Sequence, residues 1–459
     1  MGGVYAVAAA AFLGRLALFA GLELYADEAY YWTWSLRPAF GYFDHPPMVA
    51  YLAWLGSLLP GEAGLRTPFA LCGALVVVFA AHTARALSDR PRAPLAAALL
   101  AATAPMLMLG GALALPDAPL EAAFAAATWL VLTARGRAWL LVGLAAGLAL
   151  LSKYSAGLLA LSVLAAAPFD SALRAELRTR WLWLGALVAA LIFAPCLAWN
   201  AAHDFISIRF QFAHALAGRS AGAIPAFLGG MLLGVGPIVL VTAALFLARS
   251  RSGPARRLLA VTAVPLVITG AIALGGQVHA NWPALVYPGL CAAAGAFAAT
   301  LGTKVARIVV GASVALGVAL AIGYAVEVRV PRLLRPSSSP IERFHGWRDV
   351  VSEVRQAVGE PTPFVAPSNY QVAAELAYYG GFRRFGATFA RRSQFNIWND
   401  VPAAGERVVM VGLKPPGPDA TEKILGRPAA PPAKVESYFA GARIRTLWIT
   451  VPRGDSGDR

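Results

Sequence analysis

Apolar residues in this chain come in long blocks. They occupy 4–24, 48–87, 93–115, 119–134, 138–151, 155–169, 181–199, 225–248, 258–276, 283–301 and 308–326. A helix needs about 20 apolar residues to cross the hydrocarbon core of a bilayer. The pattern therefore predicts about eleven transmembrane helices, several of them short and with soft ends.

The basic residues between the blocks cluster. Arg85/Arg90/Arg92, Arg135/Arg137, Arg174/Arg178/Arg180, Arg249/Arg251/Arg256/Arg257 and Lys304/Arg307 each follow an even-numbered block. With the N-terminus in the cytoplasm, every cluster lies inside, as positive-inside sorting requires. The stretch 138–169 is interrupted by Ser152-Lys153-Tyr154-Ser155. One crossing there would put the Arg135 and Arg174 clusters on opposite sides; two crossings keep both inside. Each leg then reaches only about 22 Å at 1.5 Å per residue. That sets the Lys153 turn just within the outer half of the membrane, facing protein or water. The first block carries Arg15 and shows no cleavage site before Tyr25, so it reads as a signal anchor.

Beyond 326 the pattern changes. Pro331 and Pro336-Ser337-Ser338-Ser339-Pro340 mark a linker over 327–341. Trp347–Val358 and Tyr370–Tyr379 read as helices, and Thr362–Ala366, Arg407–Leu413 and Arg443–Val451 as strands. The expected fold class is a polytopic α-helical membrane protein, with its transmembrane part over 1–326 and a small C-terminal α/β domain over 342–459. The topology places that domain outside the cytoplasm.

Composition supports this reading. The chain is 58% hydrophobic and 14% charged, against about 25% charged in ordinary soluble domains, and its mean hydropathy is +0.61. Disorder is excluded, and a single water-soluble domain is disfavoured. The net charge of +15 (39 − 24) fits cytoplasmic anchoring and an anionic lipid surface as partner, not nucleic acid. Cys72, Cys196 and Cys291 sit inside apolar blocks without a CxxC pair, which supports neither a disulfide framework nor a cysteine zinc site. Neither a P-loop nor a dinucleotide glycine motif is present, so a soluble nucleotide-sugar site is not suggested.

The scarce polar residues gather in the outer connections. His45, His203, His214 and His279 lie there, as do Asp27, Glu28, Asp44, Asp117 and Asp204. A proton relay or transporter would scatter such groups through mid-helix positions. Here they suggest a water-accessible cavity at the outer surface, open to lipid at its side. The richest connection, 25–47, reads Tyr25-Ala26-Asp27-Glu28-Ala29-Tyr30-Tyr31-Trp32-Thr33-Trp34, then Gly41-Tyr42-Phe43-Asp44-His45-Pro46-Pro47. Tyr30 and Tyr31 are candidates for substrate contact or for the interfacial aromatic belt. Asp44 and His45 are candidates to orient a base or hold a sugar.

Lys153, the only lysine before Lys304, offers fixed positive charge in a low-dielectric place, or a snorkelling side chain. Tyr154 stands beside it. Arg209 and His279 are further candidates for a phosphate; equally, Arg209 could pair with Asp204, and His279 could be a structural hydrogen-bonder near Asn281. Asp117 either caps the fourth crossing or joins the site. Asp27, Glu28, Asp44, His45 and Asp117 could also supply ligands to a divalent metal, although no spacing is diagnostic and no cofactor is certain.

Asp-Glu-Ala-Tyr-Tyr-Trp after the first helix, followed by Gly-Tyr-Phe-Asp-His-Pro-Pro, resembles the glycosyltransferase family 39 and aminoarabinose-transferase-like group. Further matches follow in order: Leu115-Pro116-Asp117-Ala118-Pro119-Leu120, Leu151-Ser152-Lys153-Tyr154, Arg209-Phe210-Gln211-Phe212, Ala280-Asn281-Trp282-Pro283, Tyr370 through Tyr379, and Ser393-Gln394-Phe395-Asn396-Ile397-Trp398. The resemblance implies a membrane enzyme of the GT-C fold that takes a sugar from a polyprenyl-phosphate donor, in the inner membrane with its site outside. It implies Asp27 as the catalytic base, with Glu28 second to it or orienting it. The implied acceptor is an envelope glycolipid or glycan of the lipopolysaccharide type. Asp-His-Pro-Pro departs from the Glu-Lys-Pro-Pro of the aminoarabinose transferases proper, which leaves sugar and acceptor open but not the reaction class. The alternatives are a protein O-glycosyltransferase of the same fold, a lipid transporter or flippase, and an inactive scaffold.

Overall fold

The computed structural model describes residues 1–216, 222–276, 278–330, 340–426 and 428–453. Two compact units emerge. One comprises Met1–Ala20 with His45–Gly323, the other Gly21–Asp44 with Tyr324–Arg459. The sequence reading kept Gly21–Asp44 with the transmembrane part, whereas in the structure this stretch clusters with the C-terminal unit.

The first unit is helical, and each apolar block carries helix. In lipid, a helix is the form that satisfies every backbone N–H and C=O within one segment. Among the described residues, Gly61–Leu87, Arg180–Ala202, Gly253–Gly275 and Thr303–Arg329 are long and apolar enough to cross a membrane. Gly2–Leu18, Ala93–Thr103, Gly136–Leu150, Tyr154–Phe169 and Trp282–Ala298 are shorter apolar helices. Ala223–Gly234 and Pro237–Arg249 form one broken span, bent by 92° at Gly236, whose φ of +92° favours glycine. Pro105 ends the helix before it by pushing Ala104 to ψ 120°.

Small residues let these helices touch. A Cβ on Gly143 would come within 2.0 Å of the Gly185 carbonyl oxygen, and one on Gly317 within 2.1 Å of the Thr103 oxygen. Such contacts bring backbones together where lipid provides no hydrophobic drive. The Ser152–Ser155 interruption is a real turn. Helix Trp139–Leu150 ends there, a 3-10 turn covers Tyr154–Gly157, and the Met48 N–H donates to the Leu151 carbonyl at 3.0 Å.

The second unit holds a four-stranded sheet. Its strands are β1 (Phe364–Pro367), β2 (Val408–Gly412), β3 (Ala433–Phe439) and β4 (Ala442–Thr450), in the order β1-β2-β4-β3. β1 and β2 are parallel, and the other pairs are antiparallel. β3 and β4 form a hairpin through Ala440-Gly441, both at positive φ. The expected strands correspond to β1, β2 and β4. β3 escaped notice because Lys434, Glu436 and Ser437 dilute its β-branched content, and only Ser437 in it is fully buried. Helix Trp347–Val358 buries Val350, Val351, Val354 and Val358 at helical spacing. Of the 327–341 linker, residues 331–339 lie outside the described residues.

One correction concerns 25–47, which was read as a connection. It contains the helix Ala26–Ser35. The Glu28 side chain accepts the Tyr25 N–H at 2.9 Å, completing a capping box, and the helix packs on Tyr370–Gly380.

Candidate active site

Asp27 sits in the first turn of helix Ala26–Ser35, half-buried. It accepts a 3.0 Å hydrogen bond from the Tyr370 hydroxyl. Burial raises its pKa, while the hydrogen bonds from Tyr370 and Tyr25 hold that rise back. A carboxylate moved toward working pH suits a general base. Glu28, next in the chain, is fully buried and occupied with the Tyr25 N–H. The adjacent acids are thus sorted by their surroundings: one holds the helix start and the other faces a phenol.

Asp44 closes a second group in the same unit. Its carboxylate accepts from the Tyr30 hydroxyl at 2.7 Å and pairs with Arg391 at 2.7 Å. Burial lifts the Asp44 pKa to about 6 against the pull of Arg391. The Tyr30 oxygen in turn accepts the Gln394 N–H at 2.8 Å. Tyr30 and Tyr31 pack with Trp34 at centroid distances of 5.1 and 4.9 Å, and Tyr30 lies 4.4 Å from Tyr370. Both tyrosines are buried core aromatics. His45 is half-buried and begins the other unit's longer segment.

In the first unit, Lys153 pairs with Asp117 at 2.8 Å. The same Asp117 oxygen accepts from the Asn281 amide at 3.0 Å. Three candidates 36 to 164 residues apart therefore meet. Asp117 makes no side-chain cap for helix Asp117–Thr133; its carboxylate is spent on Lys153 and Asn281. The Tyr154 hydroxyl donates to Ser207 at 2.7 Å and accepts from Asn200 at 3.2 Å. His279 is exposed and meets His214, with ring nitrogens 3.1 Å apart. Arg209 is exposed on helix Ile206–Leu216.

Among the described residues no three His, Cys, Asp or Glu side chains are grouped to hold a metal ion. The carboxylates proposed as ligands are engaged by Tyr370, by Arg391 and by Lys153 with Asn281. These residues do not fit a metal centre.

Sequence reasoning overlooked Tyr370, Arg391 and Gln394 as site residues. They lie 343 to 364 residues from their partners, and Arg391 beside Arg392 looks like a solvated charge run.

Residues 44–199 match the family model described as dolichyl-phosphate-mannose-protein mannosyltransferase. The lipid A galacturonosyltransferase RgtD of Rhizobium johnstonii is 27% identical over 289 residues, an alignment covering 59% of this chain and 59% of that protein. ArnT from Cupriavidus metallidurans, in a crystal structure with undecaprenyl phosphate bound, superposes with a TM-score of 0.72 at 16% identity, covering 99% of this chain and 98% of that one. Its apo structure gives 0.70. The chain shares the fold of ArnT. It is a multi-pass membrane protein, and the likeness to ArnT runs through both compact units.

Proposed function

We propose that this chain is a GT-C glycosyltransferase that moves a sugar from a polyprenyl-phosphate donor to a glycolipid acceptor of the lipid A type. The transfer takes place at the outer face of the inner membrane. The observation that carries the reading is the Asp27 carboxylate: half-buried, raised in pKa and steadied by the Tyr370 and Tyr25 phenols. Asp27 takes the proton of an acceptor hydroxyl, whose oxygen attacks the anomeric carbon. The bond from that carbon to the phosphate oxygen breaks, and the lipid phosphate leaves with the electron pair. A single displacement of this kind inverts the anomeric centre. Within the helical unit, Lys153 with its Asp117 and Asn281 partners is a fixed positive charge suited to an anionic phosphate. Tyr30, Asp44 and Arg391 brace the helix that carries Asp27.

The named relatives support a lipid-linked donor and a lipid A acceptor, and RgtD makes a uronic acid the first sugar to look for. The match to a protein mannosyltransferase model keeps protein hydroxyls as a second acceptor class. The test is mass spectrometry of envelope glycolipids and glycoproteins from a deletion strain complemented with wild type or Asp27→Asn. Loss of one uronate- or hexose-sized increment on a lipid, restored by wild type alone, is expected. An increment that returns in full with well-expressed Asp27→Asn removes the base assignment.

A further inference from the structure

The second unit carries a cleft that the chemistry above leaves unused. It lies at the C-terminal end of helix Ala26–Ser35, against helix Tyr370–Gly380 and the short helix Gln394–Trp398. Buried Phe382 and Phe395 floor it, and Arg37, Arg383, Trp398 and Asp400 line its polar side. Asn399, at φ +46°, ends the short helix in left-handed backbone. The next residue, Asp400, accepts from both terminal nitrogens of Arg37, at 3.0 and 2.5 Å. The Arg37 guanidinium also lies over the Trp398 ring, 4.8 Å from its centroid.

This pairing leaves donors over. Arg383 is exposed and has no hydrogen bond or ion pair among the described residues, and the Trp398 indole N–H donates to none of them. Two guanidinium groups face one carboxylate, so the cleft keeps one net positive charge. Arg37 and Asp400 are both partly exposed, and such pairs add little to stability. What the pair provides is rigidity: one forked guanidinium fixed in its plane beside a second that is uncommitted. The open space is about 40 Å³. One water needs about 10–15 Å³ by that measure, so the cleft takes a group of a few heavy atoms and not a sugar ring. Phosphate and carboxylate groups have that size, and the arginine fork matches both.

We propose that this cleft is an acceptor subsite for an oxyanion carried by a saccharide, a phosphate monoester or a uronate carboxylate, with Arg383 as its main contact and the Trp398 N–H as a second donor. The inference rests on the glycolipid acceptor given above. Arg37 stands ten residues beyond Asp27, which is about 15 Å along a helix at 1.5 Å per residue. The subsite therefore grips a part of the acceptor remote from the attacked hydroxyl. Binding energy from such a remote group selects the acceptor and fixes how it lies at the base.

The test uses the full-length protein in phosphatidylcholine nanodiscs. Ligand-observed NMR titrations compare N-acetylglucosamine 1-phosphate with N-acetylglucosamine, and galacturonic acid with galactose. Lys153→Ala is the background throughout, so that phosphate held by Lys153 does not enter. At least one charged probe should bind about five- to tenfold more tightly than its neutral sugar, and the larger advantage names the oxyanion. Arg383→Gln should remove the advantage. Arg383→Lys should keep part of it, because an ammonium supplies charge without the fork. Arg383 is exposed, so both variants should fold, as an unchanged melting temperature checks. In turnover with Lys153 intact, Arg383→Gln should lower the kcat/KM preference for charged over uncharged acceptor by the same factor.

Equal binding of charged and neutral probes, or an advantage untouched by Arg383→Gln, overturns this inference; Asp27-dependent transfer to a glycolipid in the same preparation leaves the acceptor reading standing. A wild type that transfers sugar to no glycolipid removes the acceptor reading, and the role given to the cleft falls with it.

Discussion

Tyr370→Phe isolates the support given to Asp27. The substitution removes one hydroxyl and keeps the ring against Tyr30, 4.4 Å away. What is lost is a 3.0 Å hydrogen bond donated to a half-buried carboxylate. Hydrogen bonds to charged groups contribute about 1.5–3 kcal/mol. The bond favours the ionised form, so its loss moves the Asp27 pKa further upward, in the direction burial already pushes it. A base must be ionised to work, so the acid limb of the kcat/KM profile should move to higher pH. At a pH on that limb the rate should fall about ten- to a hundredfold, and on the alkaline plateau it should recover most of the wild-type value. The assay is single-turnover transfer from a polyprenyl-phosphate sugar in detergent between pH 5 and 9. A loss of equal size at every pH would show that Tyr370 acts on shape and not on the Asp27 proton. An unmoved limb alongside an inactive Asp27→Asn would refute the link between the two residues.

Three further outcomes follow from packing and charge. Burial holds the Asp44 pKa at about 6, above the roughly 3.9 of an unfolded carboxyl. Its contribution to stability is therefore fully present below about pH 4 and lost as pH rises through 6. Hydrogen exchange of peptides from 370–380, corrected for intrinsic rates, should show more protection at pH 5 than at pH 7, and Asp44→Asn should shrink the difference; protection that drops on acidification contradicts this. Gly143→Ala drives a Cβ into the Gly185 carbonyl and should cost about 1–3 kcal/mol, read as a lower detergent melting temperature, with no change expected if the two helices are free to separate. Arg257→Met strands the buried Asp170, whose partner Arg257 lies 2.6 Å away; a loss of about 3–5 kcal/mol, largely recovered in Arg257→Met/Asp170→Asn, should appear in the same melts.

Much of the helical unit was legible because lipid imposes a simple rule: every long apolar block became helix, and the Ser-Lys-Tyr interruption became a turn. Local signals also sufficed for Trp347–Val358, whose buried valines keep the helical period. The site was legible by residue type but not by partnership. Asp27, Asp44, Asp117 and Lys153 stood out as rare charges. Nothing local tells that Asp27 meets Tyr370 or that Asp44 meets Arg391, because those contacts depend on how helix Ala26–Ser35 packs on segments more than 300 residues away. The same packing makes Tyr30 and Tyr31, read as candidates for substrate contact or for the aromatic belt, part of a buried core.

Arg15 shows the limit from the other side. In sequence it was evidence about a signal anchor. Its setting shows only when it is compared with Arg257, which is equally buried. Arg257 donates its Nε to Asp170 at 2.6 Å and its Nη1 to the Val131 carbonyl at 3.0 Å, and Asp170 also accepts the Leu173 N–H at 3.0 Å. That pair is filled by contacts, joins three segments and needs no further partner to explain its charges. Arg15 and Glu121 are buried to the same degree with most polar atoms unbonded among the described residues, and three glycines keep neighbouring side chains out of their space. Glu121 and Arg15 therefore lack the bonded partners that fix Arg257 to Asp170, and a buried polar group without such bonds costs more than one that has them.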